Sequence, residues 1–419
     1  MNKEMQGMAK GMRGVTLIEL MIALLIGSIL VLGLVQVFSA SRSAYQLSQG
    51  IARNQESSRF AIDFLTRDLR MAGHAGCVND QSLLATSGGV ITGGNIRSLF
   101  LAGPDRNGNN VAALQFPLRF DMSIQGFEAN GTAPGGTSAI PATPVAGAAA
   151  DWTPALPAAL QGLGVLKGSD IVVLRFLSPE ESPVTTFNAD PASPPNLVYP
   201  AASGTLATQG SGLFAIADCR SATVFQASAT PSTTQMNVTA TGLNKTDLSF
   251  VGTQDRALAY KPGSAALFRA ETMAYYVALN AQNEPALYRV RWTATNPAAT
   301  TPARVVDEMV DGIESMQLLY GRDAVTDPAL PPLGNIATMD TAATINASTY
   351  GPAAAWRRVG AVQIGLLVRN SGNSGERAAS AQSAVAQAVM QVSMPTPNDG
   401  NYRSTYETTV ALRNRLYGN

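Results

Sequence analysis

"MRGVTLIELMIALLIGSILVLGLV" occupies residues 12–35. It opens with an arginine and a glycine, passes one carboxylate, Glu19, and then runs apolar. From Leu20 to Ser41 there is no charge across 22 residues, and a helix needs about 20 to cross a bilayer. Lys3, Lys10 and Arg13 precede the run against a single acid, Glu4. The positive-inside rule therefore keeps the N-terminus cytoplasmic and exports everything after the run.

Two readings of this segment compete. One is an ordinary secretory signal, cut after its apolar run near Ser39-Ala40-Ser41. The other is a retained anchor, cut before the run. Glu19 separates them, because an unpaired carboxylate near the start of a membrane helix costs about 2–3 kcal/mol. An ordinary signal has no use for it. A cut after Gly14 supplies a partner: a new α-amine on Val15, one helical turn from Glu19, within one chain or between neighbours.

No proline occurs before Pro104, so a long helix is allowed. Ile51, Gln55, Ser58, Ile62, Leu65, Leu69 and Ala72 recur at spacings of 4 and 3, which is one helical face. Phe60 and Phe64 widen it. Arg59–Asp63 and Asp63–Arg67 are candidate surface pairs. Gly73 and Gly76 supply a stop. The reading is one helix from Val15 to Ala72, roughly 85 Å long, or two helices with a bend near Ser39–Ser43.

Beyond residue 80 the chain reads as strands: Ala113–Phe120, Asp170–Leu177, Met273–Leu279, Tyr288–Trp292, Glu314–Tyr320, Val359–Val368 and Thr408–Leu412. Alternation such as Val362, Ile364, Leu366 and Val368 against Gln363, Gly365, Leu367 and Arg369 predicts antiparallel sheets with one wet face. Tyr288, Val290 and Trp292 are expected to face inward, with Arg289 and Arg291 outward. A short helix is expected at Arg304–Asp311. Residues 129–163 and 186–212 are rich in Ala, Pro, Gly, Ser and Thr and read as insertions that decorate the head or stay mobile. The class is α+β.

Composition excludes several functions. Charged residues make up 14% of the chain, 29 basic against 29 acidic, so there is no surplus to hold nucleic acid. Two cysteines and one histidine lack zinc spacing, and no metal or cofactor is expected. No nucleophile elbow, phosphate loop or metalloprotease motif occurs. "DRNGNN" at 105–110 begins like a calcium loop but has Asn110 for glycine and Phe116 for the closing glutamate, so it reads as a turn. No catalytic residue is assigned and the chain is read as no enzyme. In an exported head, Cys77 and Cys219 favour a disulfide; two reduced buried thiols are the alternative.

The segment "RGVTLIELMIALLIGSILV" resembles the N-terminus of type IV prepilins. There, a dedicated peptidase cuts after the glycine and methylates the new amine. The matching positions are Gly14 as the last leader residue, Val15 as the first mature residue and methylation site, Thr16, and Glu19. Val15 departs from the usual phenylalanine, and Gln36 from a proline common in major pilins. Further stretches resemble PilW-type minor pilins: "DLRMAGHAGC" (68–77), "KGSDIVVLRF" (167–176), "ADCRSATVF" (217–225), "AYYV" (274–277), "LYRV" (287–290), "VDGIESMQLLYGRD" (310–323), "LLVRN" (366–370) and "TTVALRNR" (408–415).

The resemblance implies a pilin-like fold and four parts. These are a leader at 1–14, a membrane or filament-core half-helix at 15–41, an amphipathic half at 42–76, and a β-rich head at 77–419. It implies a minor pilin that primes pilus assembly at or near the tip and supports twitching motility and adhesion, with Thr16 and Glu19 registering subunits. It implies a single-pass protein of the bacterial inner membrane with a periplasmic head, later carried into the pilus. Its partners would be other minor pilins, the major pilin, the prepilin peptidase and, as a further candidate, a tip adhesin. A minor pseudopilin of a type II secretion system is the alternative. A secreted enzyme or binding protein with an ordinary signal is a third.

Overall fold

The computed structural model describes residues 14–78, 85–87, 90–93, 96–102, 113–188, 196–201, 210–219, 221–228, 231–248, 260–261, 263–328, 330–370 and 386–414. The turn expected at 105–110 and part of the insertion at 186–212 lie outside these residues.

One unbroken helix, α1 (Leu17–Met71), runs through both expected segments without a bend at Ser39–Ser43, and its change from exposed to seated comes at Gly50, later than the expected division at 41/42. Its first half, up to Gln49, buries no residue. Its second half buries Gly50, Asn54, Ser58, Ala61, Leu65, Asp68 and Leu69. That face is turned slightly from the expected one: Gln55 stays exposed and Ile62 sits at the margin. The head explains the turn, since it offers polar partners to Asn54 and Asp68. Arg67 pairs with Asp68.

The head is built on two mostly antiparallel sheets. The long strands of the larger one are β1 (Ile124–Ala129), β2 (Ile171–Pro183), β3 (Leu213–Ala217), β4 (Ala222–Gln226), β5 (Ala266–Leu279), β6 (Pro285–Thr293) and β7 (Ala303–Asp311). β5 is its centre, pairing with β2, β3 and β6, and β7 adds to β6 as an edge. One parallel pairing joins β4 to Ile96–Ser98. The second sheet has the order β9-β8-β10-β11, with β8 (Ile313–Asp323), β9 (Ile336–Asp340), β10 (Val359–Arg369) and β11 (Arg403–Ala411). Gly312, at φ 79°, makes the corner from β7 into β8, a conformation that costs glycine nothing.

Ala61, Leu65 and Leu69 of α1 and its C-cap Ala72 share one core with Val172, Leu174 and Tyr275 of the larger sheet and Ile364, Leu366 and Val368 of the second. The inward set expected on β10 is thus the core set. On β10 the wet outer face is nearly lost, with Leu367 and Arg369 buried, while β7, β9 and β11 keep exposed residues. Residues 129–166 lay Trp152, Leu156 and Leu160 over Val173, Tyr276 and Trp292, and Trp152 donates its Nε1–H to Ser169 O at 2.9 Å. A hairpin at Gln387–Val389 and Val392–Met394 covers Leu319 and Leu367. Within the insertion at 129–163, Trp152, Leu156 and Leu160 are therefore core, because they meet an apolar sheet face that would otherwise be in water, while most of its other residues stay exposed or half-buried on the outside of the head.

Two further expectations are corrected. Arg304–Asp311 is strand β7, not a helix: residue pairs from Ala303 to Asp311 register against β6. Ala113–Phe120 is no strand: it holds a 3-10 turn at Phe116–Leu118. Pro117 there has no N–H to give to a ladder, and buried Arg175 donates to Phe116 O and Met122 O at 2.9 Å each.

Candidate functional site

The first residues of α1 form a local device. Thr16 is the N-cap, in extended geometry. Its hydroxyl accepts from Glu19 N–H at 3.3 Å, while Thr16 N–H and Oγ1–H donate to Glu19 Oε2 at 3.1 and 3.0 Å. This reciprocal capping box satisfies donors that a helix start leaves orphaned. Gly14 and Val15 lie ahead of it, exposed and outside any helix or strand. The Gly14–Val15 bond is thus an exposed peptide just before the helix, and among the described residues none beyond its chain neighbours comes within 4 Å of where a Gly14 Cβ would be. The structure brings Thr16 and Glu19 together, with Val15 adjoining. In the uncut chain Glu19 already has a partner, which sequence spacing alone had reserved for the Val15 amine.

After Glu19 the rod is bare. Leu17, Ile18 and the apolar side chains as far as Phe38 are each more than half exposed. The helix is long and apolar enough to cross a membrane.

At its other end the rod is clamped. Asp68, buried at the seat, accepts from Tyr275 Oη at 2.6 Å and lies 3.4 Å from Arg289 Nη1. Burial pushes the Tyr275 hydroxyl well above its ordinary pKa, and Asp68 adds to the push. Burial alone would lower Arg289, but Tyr275, Asp307 and Asp68 outweigh it and hold the guanidinium above its ordinary value. Arg289 was expected on a wet face; it is instead the cation that couples the helix to β6 and β7. Higher on the rod, Asn54 Nδ2 donates to Val368 O at 3.4 Å and Tyr402 O at 3.3 Å. Beside it, Arg403 bridges Glu314 and Asp399, and Arg403 helps hold Asp399 down at about 2 against the opposing effect of burial. Sequence reasoning missed Asp68 and Asn54. The available signal was polarity at helix positions flanking the apolar stripe.

Past the helix, Cys77 and Cys219 are joined in a disulfide across 142 residues of chain. Cys219 sits in the turn closed by Asp218 and Ser221, where Ser221 N–H donates to Asp218 Oδ1 at 2.9 Å. The bond fixes the helix exit to the β3–β4 hairpin. His74, between rod and bond, meets Leu177 O through Nδ1 at 2.8 Å. Among the described residues no group of three or more His, Cys, Asp or Glu could hold a metal ion.

Two family models match the chain. Residues 9–35 match the prokaryotic N-terminal methylation motif, which spans the capping box and the bare rod. Residues 274–414 match the type IV pilus-assembly protein W model, which runs from the middle of β5 through the whole second sheet. No curated protein and no solved structure matches. A methylation motif on a bare apolar rod, joined to a head whose second half matches this assembly model, is consistent with a prepilin-like protein of the PilW type.

Proposed function

We propose that the chain is a non-enzymatic minor pilin, cut after Gly14 and methylated on Val15, that primes a type IV pilus and sits at or near its tip. The observation that carries this is the two-part α1, bare and apolar from Leu17, then seated in a head from Gly50. Such a rod rests in the inner membrane with its head in the periplasm until neighbouring rods replace the lipid. Cutting frees the Val15 amine beside a carboxylate that Thr16 has held in place, and Glu19 then takes the amine of its own or a neighbouring subunit. Removing 14 residues from 419 leaves 405, a bulky head to repeat along a thin filament, which favours a few copies at the tip. Motility and adhesion would follow from the pilus that it starts. Other minor pilins, the major pilin and a tip adhesin are the partners this reading requires.

The test is the mass of the N-terminal peptide of the cell-associated protein. A peptide that begins at Val15 and carries one extra methyl is expected. One beginning near Arg42 would mean that an ordinary signal was removed, and would end the proposal. A Glu19→Ala chain should still be cut but enter pili poorly; normal piliation would remove Glu19 from the mechanism. The match at residues 274–414 weighs for the pilus over a secretion-system pseudopilin, and loss of surface pili on gene deletion, with secretion intact, checks it.

A further inference from the structure

Where the chain leaves α1, a small cavity of about 10 Å³ lies between Gly73–Ala75 and strands β2 and β4. That is room for one group about the size of a water. Two polar atoms of its lining residues have no protein partner, Arg175 Nε and Ser123 Oγ. Both residues are buried, at 1% and 2% exposure. The rest of the Arg175 fork is engaged. Nη1 donates to Met122 O and Nη2 to Phe116 O, at 2.9 Å each, and the guanidinium lies over the Phe116 ring at 4.9 Å. These contacts fix the fork, so Nε–H is not free to turn to another acceptor. Ser123 is held beside it by the backbone, its carbonyl accepting from Arg175 N–H at 2.8 Å.

The cavity has donors and no counter-charge. None of its lining residues is an acid. The nearby carboxylate that acts on Arg175 is Asp121, and the Arg119 fork already holds it at 2.8 and 2.7 Å. Two guanidiniums thus stand against one carboxylate. Burial draws the Arg175 guanidinium down to about 9; Asp121 opposes this and Arg119 adds to it. Arginine does not give up its proton in the neutral range, so the charge stays, and a buried charge without a partner is costly. A water in the cavity would answer the two donors and leave the charge. A monatomic anion would answer both.

We propose that this cavity binds a single monatomic anion, chloride or its like, between Arg175 Nε and Ser123 Oγ. The ion would fill the space between the helix exit and the larger sheet and tighten the joint at the end of the rod. Head stability would then follow the halide content of the medium around it. The inference holds whether or not the chain enters a pilus.

The test follows unfolding of the full chain in detergent as chloride replaces gluconate at constant ionic strength. The midpoint should rise with chloride and saturate, and bromide should substitute. Ser123→Ala is the deciding variant, because Arg175→Gln also removes the bonds to Met122 O and Phe116 O. Losing one hydrogen bond to an ion should move half-saturation to roughly tenfold more chloride. A midpoint that ignores chloride overturns the proposal, as does an unchanged half-saturation in Ser123→Ala. Anomalous scattering from bromide in crystals of the full chain gives an independent readout. One peak within hydrogen-bond distance of Arg175 Nε and Ser123 Oγ is expected. A water at that place, with bromide absent or confined to the surface, overturns the site.

Discussion

The two halves of α1 share one backbone geometry and almost nothing else. From Leu17 to Gln49 no residue is buried; from Gly50 to Met71 the helix contributes Ala61, Leu65 and Leu69 to the largest core. Helical hydrogen bonding is the same in both, so the difference lies in what surrounds them. The seated half is held by tertiary packing, as most protein helices are. A bilayer would leave the backbone of the bare half no alternative partner and so favour its helix without any head contact. The boundary at Gly50 is where the head begins to touch the helix.

The contrast can be broken most severely at the far end of the seat. Cys77→Ser with Cys219→Ser removes a closure across 142 residues, for which the chain-entropy estimate is up to about 5 kcal/mol. Denaturant unfolding of the full chain in detergent should show most of that loss, while N-terminal processing in cells continues. An unchanged midpoint would mean that packing alone fixes the helix exit.

A matched pair sharpens the comparison directly. Leu65 is fully buried and Leu24 is 65% exposed. Leu65→Ala should lower head stability by about 2–5 kcal/mol, the range for buried leucine truncation. Leu24→Ala should leave the unfolding midpoint within about 0.5 kcal/mol, as exposed sites do. Equal effects would show that the rod and the head unfold as one unit.

The smallest effect belongs to the joint between the two sheets. Asp170, fully buried, accepts from Ala129 N–H at 2.8 Å and Leu318 N–H at 2.9 Å. Burial pushes its carboxyl up to about 8, with the two backbone donors pulling the other way and nearby Glu128 adding to the rise. The folded head then keeps a proton that the unfolded chain releases near its ordinary value of 3.8. The stabilisation is complete below that value and is lost as pH climbs through about 8. Between pH 6 and pH 8 head stability should fall by roughly 2–3 kcal/mol, and Asp170→Asn should flatten that slope. A wild-type midpoint constant over this window would contradict the assignment.

Much of this was legible from residues alone. Gly14, Glu19 and the charge-free run marked the rod, because charge near a membrane is costly enough to leave few readings. Strands β2, β5, β6, β8, β10 and β11 announced themselves by β-branched and aromatic runs. The failures are instructive. Val305, Val306, Met309 and Val310 are spaced as on a helix, yet pairing with β6 and the Gly312 corner make them strand; propensity over nine residues is a weak term against a ladder of hydrogen bonds. Trp152, Leu156 and Leu160 recur every four residues, a helical spacing that Pro154 and Pro157 between them forbid, so nothing in that period shows that they cap a sheet.

The sequence by itself determined the anchor, the processing motif, the length of the rod and the pairing partners available to two cysteines, because each is a one-dimensional property of charge, hydropathy or count. Only the tertiary structure decided which side of the rod faces the head. Asn54 and Asp68 turn inward because Val368 O, Tyr402 O, Tyr275 and Arg289, brought from more than 200 residues away, satisfy them there. A buried polar group goes where its partners are, and those partners exist as a set only once both sheets have formed.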